Sequence, residues 1–442
     1  MSKDPFIELW KIARLVEKEG LSDNTVKNFR ENLIALDEEY EELLDAFENI
    51  KLKVLLLGDK NSIFIRTFTR NFKLTFGNNV SFDVFYGMTD DKYGSNIFNI
   101  FNFIDRYYEL KTCAQEFAIL RKIKNYFLIQ KQVSNVINQK YKKYDLVHIH
   151  YLHGYWCAGV KYLKTIPLIS TIWGSDMYKE AASSKLSKYN QKRILDVSDV
   201  ITVANERIKK DVIDCYGKKY EDKIMIATFG TPIDLAEYDV VDKSQVTEFK
   251  EKYGIPDSRV IVIVGSCARR SQHHLEILEA LSKFRDRIFI VVPLTYGQLN
   301  LHEIVKAKIK EYDLDGVVLR DYLSNEEMVA LKRISDITIF IPDTDAFSAF
   351  LMEALYAGSI VITGRWLPYD WIDGNGIYCH RINEPTVQEI QTAILKILEN
   401  LEEEKVKSLQ NKEPIKKLAA WQYRFKDWLK VYHKVLEPRK SV

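Results

Sequence analysis

The chain has 442 residues, 46% of them apolar and 29% charged, with 64 basic against 62 acidic side chains and a net charge of +2. That length makes about two or three domains, with cores large enough to stand without disulfides. The composition excludes a disordered, collagenous or fibrous chain, and the balanced charge argues against a nucleic-acid binder, which carries a basic surplus.

Residues 1–50 read as a helical extension with 6 basic and 13 acidic side chains, a net of −7. Phe6, Leu9, Trp10, Ala13 and Val16 recur at helical spacing. Gly20 to Asn24 breaks the pattern, and a second apolar stripe runs through Val26, Phe29, Leu33, Leu36, Tyr40, Leu43, Leu44 and Phe47. The expectation is a helical hairpin. It either packs on the main body or offers a partner surface for a homo-oligomer.

From residue 51 short β-branched runs alternate with helical stretches. The first set is Lys53–Leu57, Phe82–Phe85, Leu146–Ile149, Leu168–Ile172, Val200–Val203 and Lys223–Ala227. The second is Val260–Val264, Ile288–Val292, Val317–Leu319, Ile337–Ile341, Ile360–Ile362 and Gly376–Tyr378. Continuous apolar runs suit strands buried on both faces of a parallel sheet, and the intervening helices imply right-handed crossovers. The expected fold is α/β: two doubly wound, Rossmann-like parallel-sheet domains over 51–235 and 245–410, facing a cleft, with a closing helix over 411–442. Ligands of such sheets lie at the carboxyl ends of the strands.

The expected location is the cytoplasm. MSKDPFIELW has no apolar signal-peptide core, and no apolar run approaches the ~18 residues of a membrane span. Cys113, Cys157, Cys215, Cys267 and Cys379 form no CxxC pair, which fits a reducing compartment.

The segments just past the strand ends carry the chemistry. After the first strand come Gly58 and Asp59, then Lys60 and Asn61. The glycine admits a close ligand or makes an ordinary turn; GxGxxG is absent. After the third come His148, His150 and His153, which bind substrate, bind zinc or simply pack. After the fourth come Trp173, an apolar wall for a sugar ring or a core residue, and Asp176, a hydroxyl acceptor, base or helix cap.

In the second half, Gly265 leads to Arg269, Arg270, His273 and His274, and paired arginines suit phosphate. Tyr296-Gly297 shapes a pocket after the next strand. The strand ending at Pro342 is succeeded by Asp343-Thr344-Asp345-Ala346-Phe347-Ser348, then by a helix carrying Glu353 and stopping near Gly358. N–H groups at the helix start hold anions, and carboxylates hold sugar hydroxyls. Asp343-Thr344-Asp345 is also a literal DxD, a pair of carboxylates at a spacing that can hold a divalent metal.

A basic and aromatic stretch over 104–143 reads as a candidate face for an anionic membrane or as a solvated helix. It holds Arg121, Lys122, Lys124, Lys131, Lys140, Lys142 and Lys143 among Phe117, Leu120, Tyr126, Phe127, Leu128 and Ile129.

These segments, in this order, resemble the GT-B glycosyltransferases of the retaining family-4 type (glycosyl transferases group 1) over roughly residues 51–437. The family's Glu-x7-Glu motif reads here as Asp345-x7-Glu353, before Ala357-Gly358-Ser359-Ile360-Val361-Ile362. The TIWGSD segment, the SDVITVA segment and the last helix from Trp421 also match in character. The family's His-Gly at the fourth strand is Trp173-Gly174, and its first motif glutamate is aspartate.

The resemblance implies a nucleotide-sugar donor in the second domain and an acceptor in the first. Glu353 would meet the nucleotide ribose, Asp345 the donor sugar, and Arg269 or Arg270 the departing diphosphate. Gly265, His273, Tyr296, Gly297, Phe347 and Ser348 complete the expected donor set. Gly58, Asp59, His150, His153, Trp173 and Asp176 form the expected acceptor set. No metal and no cofactor are expected, since the nucleotide-sugar is a co-substrate. The implied activity is retaining transfer to a glycan, a lipid-linked glycan or another glycoconjugate in surface polysaccharide biosynthesis, at the membrane's inner face if the basic stretch docks there. A GT-B sugar-nucleotide epimerase and a degenerate binding scaffold are the alternatives.

Overall fold

The computed structural model describes residues 4–48, 50–59, 62–86, 103–111, 118–138, 143–298 and 300–437. Lys60, Asn61, Cys113, Phe117, Lys140 and Lys142 lie outside that set, as does the side chain of Lys122. The chain divides into two units, Met1–Pro232 with Trp421–Val442, and Ile233–Ala420.

Apolar β-branched runs make the strands, because their stiff side chains fit a pleated surface buried on both faces. The first unit holds β1 (Leu52–Leu57), β2 (Val80–Tyr86), β3 (Arg106–Glu109), β4 (Leu146–His150), β5 (Leu168–Thr171), β6 (Val200–Val203) and β7 (Ile224–Ile226). Their order is β3-β2-β1-β4-β5-β6-β7, and every pairing is parallel. The second unit holds β8 (Val260–Val264), β9 (Ile288–Pro293), β10 (Gly316–Leu319), β11 (Ile337–Phe340), β12 (Ile360–Gly364) and β13 (His380–Ile382). Their order is β10-β9-β8-β11-β12-β13, again parallel throughout.

Three expectations need correction. β3 is a strand that the sequence did not suggest, because Arg106-Tyr107-Tyr108-Glu109 is an edge strand with little burial and no apolar run. The last strand is His380–Ile382, not Gly376–Tyr378: Gly376 has φ +63°, and Tyr378 gives its N–H to Asn411 Oδ1 instead of to a neighbouring strand. The N-terminal hairpin is three helices, Pro5–Glu19, Asp23–Leu36 and Glu39–Asp45, since extended backbone at Asp37 interrupts the second stripe.

Those three helices are part of the first unit's core. Leu9, Val16, Phe29, Leu33, Tyr40 and Leu44 join one buried cluster with β1, β2 and the last helix, Trp421–Leu436. The apolar face offered as a partner surface is therefore used within the chain. The buried Tyr40 hydroxyl donates to the Gln422 carbonyl at 2.6 Å and accepts the Lys426 N–H at 3.1 Å. Lys426 also pairs with Asp37 and Glu39, at 2.6 and 2.7 Å. Part of the acidic excess of residues 1–50 thus meets a basic helix almost 400 positions away.

Trp428 is central to this core. It is fully buried, its ring meets those of Phe68, Phe229 and His148, and its Nε1 donates to the Thr228 carbonyl at 3.0 Å. Trp428→Ala leaves a large cavity and an unpaired carbonyl. The expected loss is about 3–5 kcal/mol, read as an earlier unfolding transition of the first unit in urea, with the second unit's transition unmoved.

Candidate functional site

In the second unit the loops after β8, β9, β11 and β12 leave the same edge of the sheet, as parallel strands require. Gly265 ends β8 at φ +68°, and a Cβ there would stand 2.6 Å from His274 Nε2. The β8 and β9 loops are then zipped together. Ala268 N–H donates to the Tyr296 carbonyl at 2.7 Å, and Gln298 N–H to the Ala268 carbonyl at 2.6 Å. Gly297 is needed at that crossing, since a Cβ would lie 2.3 Å from the Ala268 oxygen. The zipper sets the Arg269 guanidinium over the Tyr296 ring, 5.9 Å from its centroid. Arg269 and Arg270 are both exposed.

The β11 loop is tied to the same group. Asp343 gives its N–H to the Ser271 carbonyl at 2.9 Å, and its carboxylate accepts from His273 Nε2 at 2.7 Å. His273 holds a left-handed backbone, φ 55°, to make that contact. Asp345 Oδ1 accepts the N–H groups of Ala346 and Phe347, at 2.5 and 3.1 Å, and the Tyr369 hydroxyl faces it. Ser348 caps the helix Ala349–Tyr356, accepting the Leu351 N–H. The β12 loop closes the group through Trp366 Nε1, which donates to the Pro342 carbonyl at 2.8 Å. The result is an exposed guanidinium pair, a capped helix start and a half-buried carboxylate on one sheet edge, the ingredients for binding an anion next to hydroxyls.

Glu353 lies further along the same helix, only 4% exposed. Burial pushes its carboxyl up to about 7, against the opposing pull of Lys332, the Tyr238 hydroxyl and the Ile233 backbone. Lys332 is wholly buried, on the helix Asn325–Ile334, and donates to the Phe350 carbonyl at 2.9 Å. Tyr322, past the end of β10, also feels the Glu353 charge. Sequence reasoning missed Lys332, Tyr238 and Tyr322. The one available signal was a lysine four residues after Met328, on the inner stripe of an apolar helix face.

DxD does not act as a pair here, since Asp343 turns to His273 and Asp345 to its own turn. Among the described residues no group of three or more His, Cys, Asp or Glu is placed to hold a metal ion.

In the first unit, Gly58 is buried and required by packing: a Cβ would meet Ile65 at 2.7 Å and His150 Cβ at 3.2 Å. Asp59 is exposed, near Tyr155. His148 and His150 stack at 3.9 Å within the core. His148 is bonded to Tyr432 and Thr171, whereas neither His150 ring nitrogen has a partner among the described residues. Burial lowers both imidazoles, His150 to about 3, so both are neutral. The Trp173 ring meets Phe64 and Phe229, and its buried Nε1 has no partner among the described residues.

Asp176 is fully buried and accepts backbone N–H groups from Leu152, Trp173, Gly174 and Met177. It fastens the loop after β4 to the loop after β5. His153 faces outward and pairs with Glu180 at 3.0 Å. Burial raises the Glu180 carboxyl, but His153 and Tyr151 outweigh it and hold the group below the usual range. Tyr151, with φ 71°, and Tyr155, stacked on His153 at 4.8 Å, complete a polar cluster. Glu180, Tyr151 and Tyr155 carried no motif in the sequence.

Two family models match the chain. One described as glycosyl transferases group 1 covers residues 245–413, and one described as glycosyl transferase 4-like covers 107–205. Together they span more than half of the chain. No curated protein matches the sequence. Among solved structures, a glycosyltransferase from Rickettsia africae is similar at TM-score 0.66 and 16% identity, covering 88% of this chain and 99% of that one. Anabaena HepE in complex with UDP and glucose is similar at TM-score 0.66 and 12% identity, over 86% and 99%. The UDP-GlcNAc 2-epimerase from Neisseria meningitidis, bound to UDP-GlcNAc, is similar at TM-score 0.57 and 15% identity, over 86% and 100%. At these identities the likeness is one of fold, which transferase and epimerase share.

The Glu353 carboxyl gives a pH signature. An unfolded Glu releases its proton near 4.3, whereas folded Glu353 keeps it up to about 7. Between those values the folded state binds the extra proton, so this group's contribution to stability falls as pH rises. Lys332, pushed down to about 7 by burial, acts in a separate window above that, where stability rises with pH. Glu353→Gln should remove the fall. Relative to wild type, the variant gains on the order of 2 kcal/mol between pH 5 and pH 7, measured by urea unfolding at both values. An equal difference at both would contradict the assignment.

Proposed function

The chain belongs to the glycosyl transferases group 1, with the GT-B fold, and from that premise we propose a nucleotide-sugar-dependent transfer in which the second unit holds the donor and the first the acceptor. The observation that carries the placement is the group of four tied loops in the second unit, with Arg269 and Arg270 exposed beside the capped start of the Glu353 helix.

Each residue then has a task. The arginines and the N–H groups at the helix start bind the diphosphate and stabilise the charge it gains as the glycosyl–phosphate bond breaks. Glu353 accepts hydrogen bonds from the ribose hydroxyls, with Lys332 favouring its charged form. Asp345, stiffened by its own turn, meets the donor-sugar hydroxyls. Transfer proceeds with retention: the bond from the anomeric carbon to phosphate breaks, the acceptor oxygen bonds that carbon on the same face, and its proton passes to the leaving phosphate oxygen. No metal is required, because the cations and the helix start carry the charge. The acceptor is a glycan, a lipid-linked glycan or another glycoconjugate of the cell surface, met by His153, Glu180, Tyr151 and Trp173. Asp176 shapes that wall from behind.

Thermal-shift titrations against UDP-, GDP- and dTDP-sugars with EDTA present test the donor site. A ligand at about 100 times its Kd stabilises by about 2.7 kcal/mol. One nucleotide class should stabilise the wild type, and Glu353→Ala should need about 10- to 100-fold more of it. Arg269→Ala should lower kcat about 100-fold, read as nucleoside diphosphate released in the presence of acceptor. Isomerisation of the donor without acceptor would assign an epimerase instead, and no shift with any donor would favour a binding scaffold.

A further inference from the structure

Six large apolar side chains stand exposed on two helices of the first unit. Leu120 (52%), Ile123 (50%), Tyr126 (40%) and Phe127 (63%) lie on Ala118–Ile137, and Leu186 (57%) and Tyr189 (60%) on Lys185–Val197. The two helices form one surface. Both touch the short turn Gly154–Gly159, and Arg193 of the second hydrogen-bonds Tyr126 of the first, with Tyr189 beside it. Leu120, Ile123 and Phe127 keep i, i+3, i+7 spacing on the outer stripe, while Ile129, Val133 and Val136 bury the inner one.

The charge on this surface is one-sided. Ala118–Ile137 carries four cations and no carboxylate. Lys185–Val197 carries four cations and one carboxylate, Asp196, which is already bonded to Lys219 and Tyr220. Lys124 and Lys131 are exposed on either side of Phe127. In a chain of net charge +2, these two helices thus hold eight cations against one carboxylate.

We propose that this face docks on an anionic lipid surface, with Leu120, Ile123 and Phe127 entering the headgroup layer and the surrounding lysines meeting lipid phosphates. Exposed aromatic and aliphatic side chains beside cations, with few acids, are the pattern of a helix lying in a bilayer interface. No described helix is long and apolar enough to cross a membrane, so contact would be by surface docking. The placement also suits a lipid-linked acceptor. Gly154–Gly159 comes directly after His153, and Lys185–Val197 begins five residues after Glu180, so the docking helices adjoin the loops proposed to meet the acceptor. Docking stands apart from the donor reading, since it is measured with neither donor nor acceptor present.

The test is co-sedimentation of the full chain with phosphatidylglycerol–phosphatidylcholine vesicles, and with phosphatidylcholine alone, at 50 mM and 500 mM salt. Binding should need the anionic lipid and weaken at high salt. The double variant Ile123→Glu/Phe127→Glu should bind at least about 10-fold more weakly. Lys124→Glu/Lys131→Glu should also lose at least about 10-fold, since each cation near such a surface contributes about fivefold. Val406→Glu, at an equally exposed apolar site of the second unit (61%), should bind like wild type. Circular dichroism and the donor-induced thermal shift verify that each variant is folded. Wild type left in the supernatant with anionic vesicles at low salt would overturn the proposal, as would undiminished binding by Ile123→Glu/Phe127→Glu. A concentration-dependent dimer, broken by that variant and indifferent to vesicles, would assign the face to a second copy of the chain.

Discussion

The candidate donor site depends on cross-bonding among loops that leave one sheet edge. A parallel sheet sends every strand's carboxyl end to the same side, but nothing in the ladder joins the loops beyond it. Hydrogen bonds between the loops do so here. The crossing of Ala268 with Tyr296 and Gly297 fuses the β8 and β9 loops, the Asp343–His273 bond adds the β11 loop, and Trp366 on the Pro342 carbonyl adds the β12 loop. The β11 tie carries a conformational cost, in His273 at φ 55°, whereas the β8–β9 crossing simply requires a residue without a Cβ, Gly297. Backbone held in such regions persists only where its surroundings fix it, and binding sites are where that is common. The carboxylates obey one rule in both units. Asp176 and Asp345 satisfy backbone N–H groups first and thereby shape the surface that other side chains present.

Glu353 also feels the Ile233 backbone N–H, but its wider setting explains why it stands out chemically. A carboxyl and an ammonium are both buried there, with Tyr238 against the acid. Such a pair adds little net stability, because desolvation offsets the attraction, yet removing one partner is costly. A helix that needed only to pack would hold a leucine at either position. Retaining both charges is economical if the carboxylate has hydroxyls to meet when a ligand is bound.

Legibility in the sequence tracked burial. Val260–Val264 and Leu146–His150 announce themselves because both faces are covered, whereas edge strand β3 is half polar and silent. His380–Ile382 was misplaced because Gly376-Ile377-Tyr378 has the more strand-like composition, although Asn411 claims its backbone. Asp345 and Glu353 were legible as a spacing on a strand–helix turn. Lys332, Tyr238 and Glu180 were not, since each owes its place to a partner distant in sequence. The six exposed apolar residues were only partly legible, because Leu186 and Tyr189 join Phe127 only once the helices fold together.

Hydrogen exchange with and without the nucleoside diphosphate selected by the thermal shifts tests the donor site most directly. Protection should concentrate at 265–273, 294–298 and 342–356, where the tied loops and the helix start would close on the ligand. Protection confined to the first unit, or none at saturating nucleotide, would contradict a donor site built on the Arg269 loop and Glu353.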